Sequence, residues 1–239
     1  MKPQEVTQQE NTSIILKEYK SPRINDDLLP ILVSDEVLQK PNKEIIKWKY
    51  YNSFNFSRLA KAFGENKLTV GITSARPRDG KSIVAANMAV SLASGYKQKT
   101  LIMDMNFRRP GLHNVFGAEP SPGLVEALFY KKIRVVSTTF ENLYLMPIGD
   151  VHRLKPGIEH TLTLRQILNT VKHQFDFVII DMSSILPIED FPVHFINEID
   201  GLINVVNANK TKKAELENVF KHIEEKQFLG YVFKNSENK

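Results

Sequence analysis

From residue 68 onward the chain alternates short apolar runs with longer stretches of helical spacing. The runs 68–73, 100–104, 143–147, 177–181, 201–206 and 229–233 predict strands, and their near-continuous apolar character suits strands covered on both faces. Between them, 81–94, 123–130, 162–174 and 212–227 predict helices. Strand and helix in alternation predict an α/β fold, with a mostly parallel central sheet and helices on both faces.

The pattern before residue 68 is different. Residues 1–43 are mixed polar sequence with Pro3, Pro22, Pro30 and Pro41 and only short apolar runs, at 14–16 and 28–33. They predict an N-terminal extension that acts as a docking arm, although the same composition also suits a disordered tail. Ile45, Trp48, Tyr51, Phe54 and the run 59–63 predict helix ahead of the first core strand, with a break at 52–57. The expected division is therefore 1–43 for the arm and 44–239 for the folded domain. There is no internal repeat and no low-complexity tract.

Composition narrows the chemistry. With 239 residues, 42% hydrophobic and 25% charged, the chain can bury a full globular core. It has no cysteine, which excludes disulfides, thiolate zinc sites and cysteine nucleophiles. The first ten residues are polar and no run approaches the ~18 apolar residues of a membrane span, so a cytoplasmic protein is expected. A net charge of +5 is modest for this length, and no nucleic-acid partner is expected. The basic residues concentrate in one place, Arg76, Arg78, Lys81, Arg108 and Arg109, and that cluster is expected to face phosphate.

Ser74-Ala75-Arg76-Pro77-Arg78-Asp79-Gly80-Lys81-Ser82 follows the first expected core strand and opens a helix rich in small residues, the context of a phosphate loop. Backbone N–H groups at the helix start would face phosphates, Lys81 would neutralise their charge, and Ser82 would ligate magnesium. Taken alone, Gly-Lys-Ser also suits an ordinary turn, and the usual first glycine is Ala75 here. Two strand-ending carboxylates, Asp104 and Asp181, favour the phosphate site, because ligands of open α/β sheets bind at the carboxyl ends of the strands. Expected nucleotide contacts are Arg76, Arg78, Asp79, Gly80, Lys81, Ser82, Ile83 and Arg108. Expected magnesium ligands are Ser82, Asp104 and Asp181.

Residues 73–82, Leu101-Ile102-Met103-Asp104-Met105-Asn106-Phe107-Arg108-Arg109-Pro110, Leu112-His113-Asn114-Val115-Phe116-Gly117, Gly123-Leu124 and Phe175-Asp176-Phe177-Val178-Ile179-Ile180-Asp181 together resemble the cytoplasmic domain of bacterial tyrosine autokinases. These are P-loop proteins of capsule and exopolysaccharide assembly, related to septum-positioning and partition ATPases. The resemblance covers about 44–235. It implies a P-loop NTPase-like fold, ATP or ADP with Mg2+, and Lys81, Asp104 and Asp181 as the catalytic set of an active form. It also implies a membrane partner, a polysaccharide co-polymerase or glycosyltransferase component, which would hold the chain at the inner face of the membrane, and possible self-association.

The chain departs from that pattern in several places. Arg78 stands where the family has a glycine, and Asn106 replaces the second aspartate of Asp-x-Asp-x-Arg, removing a carboxylate that can take a proton. The sequence ends Lys234-Asn235-Ser236-Glu237-Asn238-Lys239 without the family's tyrosine cluster, so self-phosphorylation there is not expected. The family's Glu-x-x-Arg-x-x-Arg contact motif aligns only with Glu44, Lys47 and Tyr50. The asparagine on the adenine side is Asn235, one place late, with Lys234 before it. The expected protein is thus a degenerate, pseudokinase-like regulator or scaffold of a membrane system of polysaccharide synthesis or export, one that binds ATP or ADP weakly or not at all. The alternatives are an active ATPase or tyrosine kinase acting on a partner, and a partition-type ATPase, whose signature lysine is Arg76 here. The six histidines form no metal-binding pattern, and Ser183-Ser184 are expected to line the site rather than to act as nucleophiles.

Overall fold

The computed structural model describes residues 4–9, 12–16, 28–34, 41–42, 45–46, 68–154, 157–186, 193–221, 223 and 228–234. Its strands are β1 (Gln4–Gln9), β2 (Thr12–Leu16), β3 (Ile31–Ser34), β4 (Leu68–Ser74), β5 (Thr100–Met105), β6 (Ile133–Ser137), β7 (Leu143–Met146), β8 (Phe177–Met182), β9 (Gly201–Asn207) and β10 (Phe228–Lys234). Its α-helices are α1 (Lys81–Val90), α2 (Leu112–Phe116), α3 (Leu124–Tyr130), α4 (Thr161–Gln174) and α5 (Lys213–Phe220).

The strands form one sheet in the order β1-β2-β10-β9-β4-β8-β5-β7-β6-β3. Pairing is parallel for β10 with β9, β9 with β4, β4 with β8, β8 with β5, β5 with β7 and β6 with β3. It is antiparallel within the β1–β2 hairpin, for β2 on β10 and for β6 on β7. The sheet is mostly parallel, as the apolar runs predict.

Alternating side chains of each central strand feed two cores. On one face Val70, Ile72, Ile102, Ile179, Ile203 and Val205 meet Val84, Ala85, Met88 and Ala89 of α1. The small residues of α1 let it lie close on the sheet. On the other face Leu101, Met103, Val178, Ile180 and Leu202 meet side chains of α3, α4 and α5. Gly71 of β4 is needed at this second layer, since a Cβ there would stand 2.6 Å from Met182 Sδ and 2.7 Å from a Leu202 methyl.

Two parts of the expected layout need correction. The first helix keeps α geometry only to Val90 and continues as a π-helix over Ser91–Gly95. β6 and α2 were not among the expected elements. The extension contributes strands to both sides of the sheet, β2 against β10 and β3 against β6. Most of the helix expected over 44–63, and residues 224–227 of the last expected helix, lie outside the described residues. Ile45 and Ile46, which are described, donate backbone N–H bonds to the Asn42 carbonyl and pack against the α1 core.

Candidate functional site

The carboxyl ends of β4, β5, β8, β9 and β10 meet at one edge of the sheet, and the loop from β4 to α1 lies across it. Residues 75–80 are held by their own polar groups. Ser74 Oγ donates to the Arg76 carbonyl at 2.6 Å, and the Arg76 N–H donates to Asp79 Oδ2 at 3.1 Å. Thr211 Oγ1 donates to that same oxygen at 3.4 Å. Burial raises the Asp79 pKa, opposed by these bonds and by Arg76 and Lys81. Asp79 therefore braces the loop. The Arg76 guanidinium lies 3.4 Å from Glu215 of α5.

Two loop residues have left-handed backbone, Arg78 at φ 70° and Gly80 at φ 98°. For Gly80 this costs little, whereas a side-chain-bearing residue such as Arg78 is strained by about 1–2 kcal/mol. The turn brings Lys81 and Ser82 into the first turn of α1. Lys81 is buried, and burial lowers its pKa against the opposing pull of Asp181, Asp79 and Asp104.

The two strand-end aspartates are neighbours in register, Asp104 on β5 opposite Asp181 on β8, and both are fully buried. Their surroundings differ. Asp104 Oδ1 accepts from the Asn106 N–H at 3.0 Å, and Oδ2 accepts from the N–H groups of Gly111 and Leu112 at 3.0 and 3.1 Å. Its carboxylate organises the turn that carries Arg108 and Arg109 into α2. Among the described residues, neither oxygen of Asp181 has a partner in hydrogen-bond geometry. Burial and then the Asp104 charge raise the Asp181 pKa, while the nearby Ser82 hydroxyl and Lys81 lower it. A buried carboxylate beside a serine hydroxyl suits a divalent cation.

Asn106 is buried, its Oδ1 accepting from the Arg109 N–H at 3.3 Å and from Ser183 Oγ at 3.4 Å. Above these residues lies a cavity of about 290 Å3 whose walls include Gly80, Lys81, Ser82, Asn106, Arg109 and Lys234. Arg78, Ile83, Arg108, Ser183 and Ser184 line it too. Of the expected contacts, Arg78, Gly80, Lys81, Ser82, Ile83 and Arg108 thus come together at one cavity, and Asn235 lies outside the described residues. Lys234 was noted in the sequence only as an irregularity. The signal that finds it is its place at the carboxyl end of a strand in this sheet.

The residues present suit a magnesium-bound nucleoside phosphate. A left-handed glycine opens α1, buried Lys81 supplies positive charge, and Ser82 and Asp181 offer oxygens to a metal. Among the described residues no cluster of three or more His, Asp or Glu could hold a metal alone, so magnesium here would also draw on phosphate oxygens.

No family model matches the chain. The succinoglycan biosynthesis transport protein ExoP of Rhizobium meliloti is 31% identical over 156 residues, 62% of this chain and 19% of that protein. The putative tyrosine-protein kinase CapB of Staphylococcus aureus is 30% identical over 149 residues, 61% of this chain and 64% of that protein. In both cases the chain spans less than two thirds of the relative's length. The tyrosine-protein kinase CpsD of Streptococcus pneumoniae is 27% identical over 206 residues, 83% of this chain and 88% of that protein. Among solved structures, the chimerical protein CapA2B2 superposes with a TM-score of 0.71 at 24% identity, covering 88% of this chain and 96% of that one. The cell division ATPase MinD of Pyrococcus furiosus superposes with a TM-score of 0.53 at 22% identity, covering 68% of each chain. The chain is thus similar in sequence to bacterial tyrosine-protein kinases, and it has the P-loop NTPase-like fold of the CapA2B2 and MinD structures.

Proposed function

We propose that this chain binds a magnesium nucleotide, ATP or ADP, at the β4–α1 loop and serves as a nucleotide-responsive regulator of a polysaccharide synthesis or export system, rather than as a self-phosphorylating kinase. The observation that carries the binding half is the convergence of Lys81, Ser82 and the buried carboxylate of Asp181, on which both act, behind a left-handed Gly80. The regulatory half is supported by Asn106. An amide stands in the pocket wall where a carboxylate would be needed to take a proton from an attacking hydroxyl. Asp104, the nearest other carboxylate on that strand, is engaged with three backbone N–H groups.

Phosphoryl transfer rests chiefly on positioning and charge. In this site Lys81 and the arginines supply charge, α1 supplies oriented N–H groups, and Ser82 with Asp181 would seat the metal. The likeness to ExoP, CapB and CpsD supports a polysaccharide co-polymerase or glycosyltransferase component as the membrane partner, with the chain peripheral at the inner face. No helix among the described residues is long and apolar enough to cross a membrane. The arm and domain division at residues 43 and 44 remains part of this proposal.

Calorimetry with MgATP, paired with assays of phosphate release and phosphotyrosine, tests both halves. Wild type is expected to bind, Lys81→Ala to bind about tenfold or more weakly, and neither to turn over ATP. Absence of wild-type binding would overturn the nucleotide half. Steady hydrolysis or phosphotyrosine formation that disappears in Lys81→Ala would overturn the regulatory half in favour of a kinase or ATPase acting on a partner.

A further inference from the structure

Lys234 is the last residue of β10, and its side chain lies directly over the glycine of the phosphate loop. A Cβ placed on Gly80 would stand 3.1 Å from Lys234 Cδ and 3.2 Å from its Nζ. Glycine is favoured here by its φ of 98°, and a Cβ would press on the flexible end of the lysine. The strand that delivers this ammonium is paired on both sides, Lys234 opposite Asn207 of β9 and Thr12 of β2. The Lys234 carbonyl also accepts from the Ala208 N–H at 3.1 Å. The cation is thus presented from a rigid strand end.

Lys234 shares its cavity with other cationic groups. The N-terminus of α1 carries partial positive charge, and Lys81, Arg78 and Arg109 line the same cavity. The buried carboxylates Asp181, Asp79 and Asp104 act on Lys81, but none of them is in the wall of this cavity, where the charged side chains are all cationic. Several cations held around one helix N-terminus form a receptor for a compact polyanion.

We infer that Lys234 is a phosphate-binding residue of this site, a second lysine that grips the phosphate chain alongside Lys81. The inference rests on the nucleotide reading above and adds to it a specificity: the pocket recognises its ligand chiefly through the phosphate chain, with a cation supplied by β10.

Titration calorimetry of the full chain with MgATP, MgADP and sodium tripolyphosphate tests this in wild type, Lys234→Ala and Lys234→Arg, with melting temperatures confirming that each variant is folded. Lys234→Ala should bind ATP and tripolyphosphate about tenfold more weakly, and Lys234→Arg should stay within about threefold of wild type. Unchanged or tighter binding by Lys234→Ala would overturn the inference while leaving the nucleotide site intact. A loss confined to ATP, with tripolyphosphate unaffected, would also overturn it, because the lysine would then serve the nucleoside. A wild type that binds none of the three ligands would overturn both readings together.

Discussion

Arg78 and Asp181 show how much conformational and electrostatic free energy a few atoms hold at this loop. Arg78 at φ 70° is a side-chain-bearing residue in left-handed backbone. Replacing it by glycine relieves a cost of about 1–2 kcal/mol and returns part of it through the greater freedom of glycine in the unfolded chain. Arg78→Gly is therefore expected to raise unfolding stability by about 0.5–1 kcal/mol, read from urea denaturation at constant m-value. Asp181 behaves in the opposite sense. Its pKa is raised by burial and by Asp104, so the folded protein holds a proton there more tightly than the unfolded chain does. The associated stability is complete below the ordinary carboxylate value of 3.8 and is lost as pH rises through the raised folded value. Asp181→Asn removes that penalty. Without nucleotide its melting temperature should equal that of wild type at pH 4 and exceed it increasingly toward pH 8, by an amount equivalent to on the order of 1–2 kcal/mol. An equal effect at both pH values would show that the carboxylate is not the source.

Among the elements, α3 depends on one carboxylate. Glu126 Oε2 accepts from the Gly123 N–H at 2.7 Å, and Oε1 accepts from Ser121 Oγ at 2.7 Å and from the Asp150 N–H at 2.9 Å. The side chain thus closes the helix start and ties it to the loop after β7. Burial works to raise its pKa, but the bonds from Gly123, Asp150 and Ser121 together hold it below the ordinary value. The stabilisation is present above that ordinary value and lost as pH falls through the lowered one. Glu126→Ala should cost about 1–2 kcal/mol in urea unfolding at neutral pH, with the difference from wild type shrinking in acid. Nothing in the residue pattern announced this joint, because Asp150 lies on a different loop. The same limit explains β6. Ile133 and Val135 are buried while Arg134 and Ser137 are exposed, a short alternation with too few apolar residues to stand out until β3 and β7 flank it. The central strands were legible because each is buried on both faces and so reads as an unbroken apolar run.

Over the whole molecule, the sheet's parallel core and the position of the β4–α1 loop could be read from residues 68–82, 100–104 and 177–181. The sheet's margins could not. Their strands are short, and the pairing partners of β2 and β3 lie far along the sequence, at β10 and β6. The site divides in the same way. Gly80, Lys81 and Ser82 form a local motif, whereas the contacts of Arg76 with Glu215 and of Lys234 with Gly80 are made only by folding. The pairing of Thr12 with Lys234 has a further consequence for assembly. The two residues are separated by about 220 positions, so closing that ladder carries the loop entropy of nearly the whole chain and belongs to a late stage of folding. A ribosome would have released the first hairpin long before β10 emerged to receive it. Until then its backbone donors and acceptors would be open to other strands, and chaperone protection would matter most during that interval.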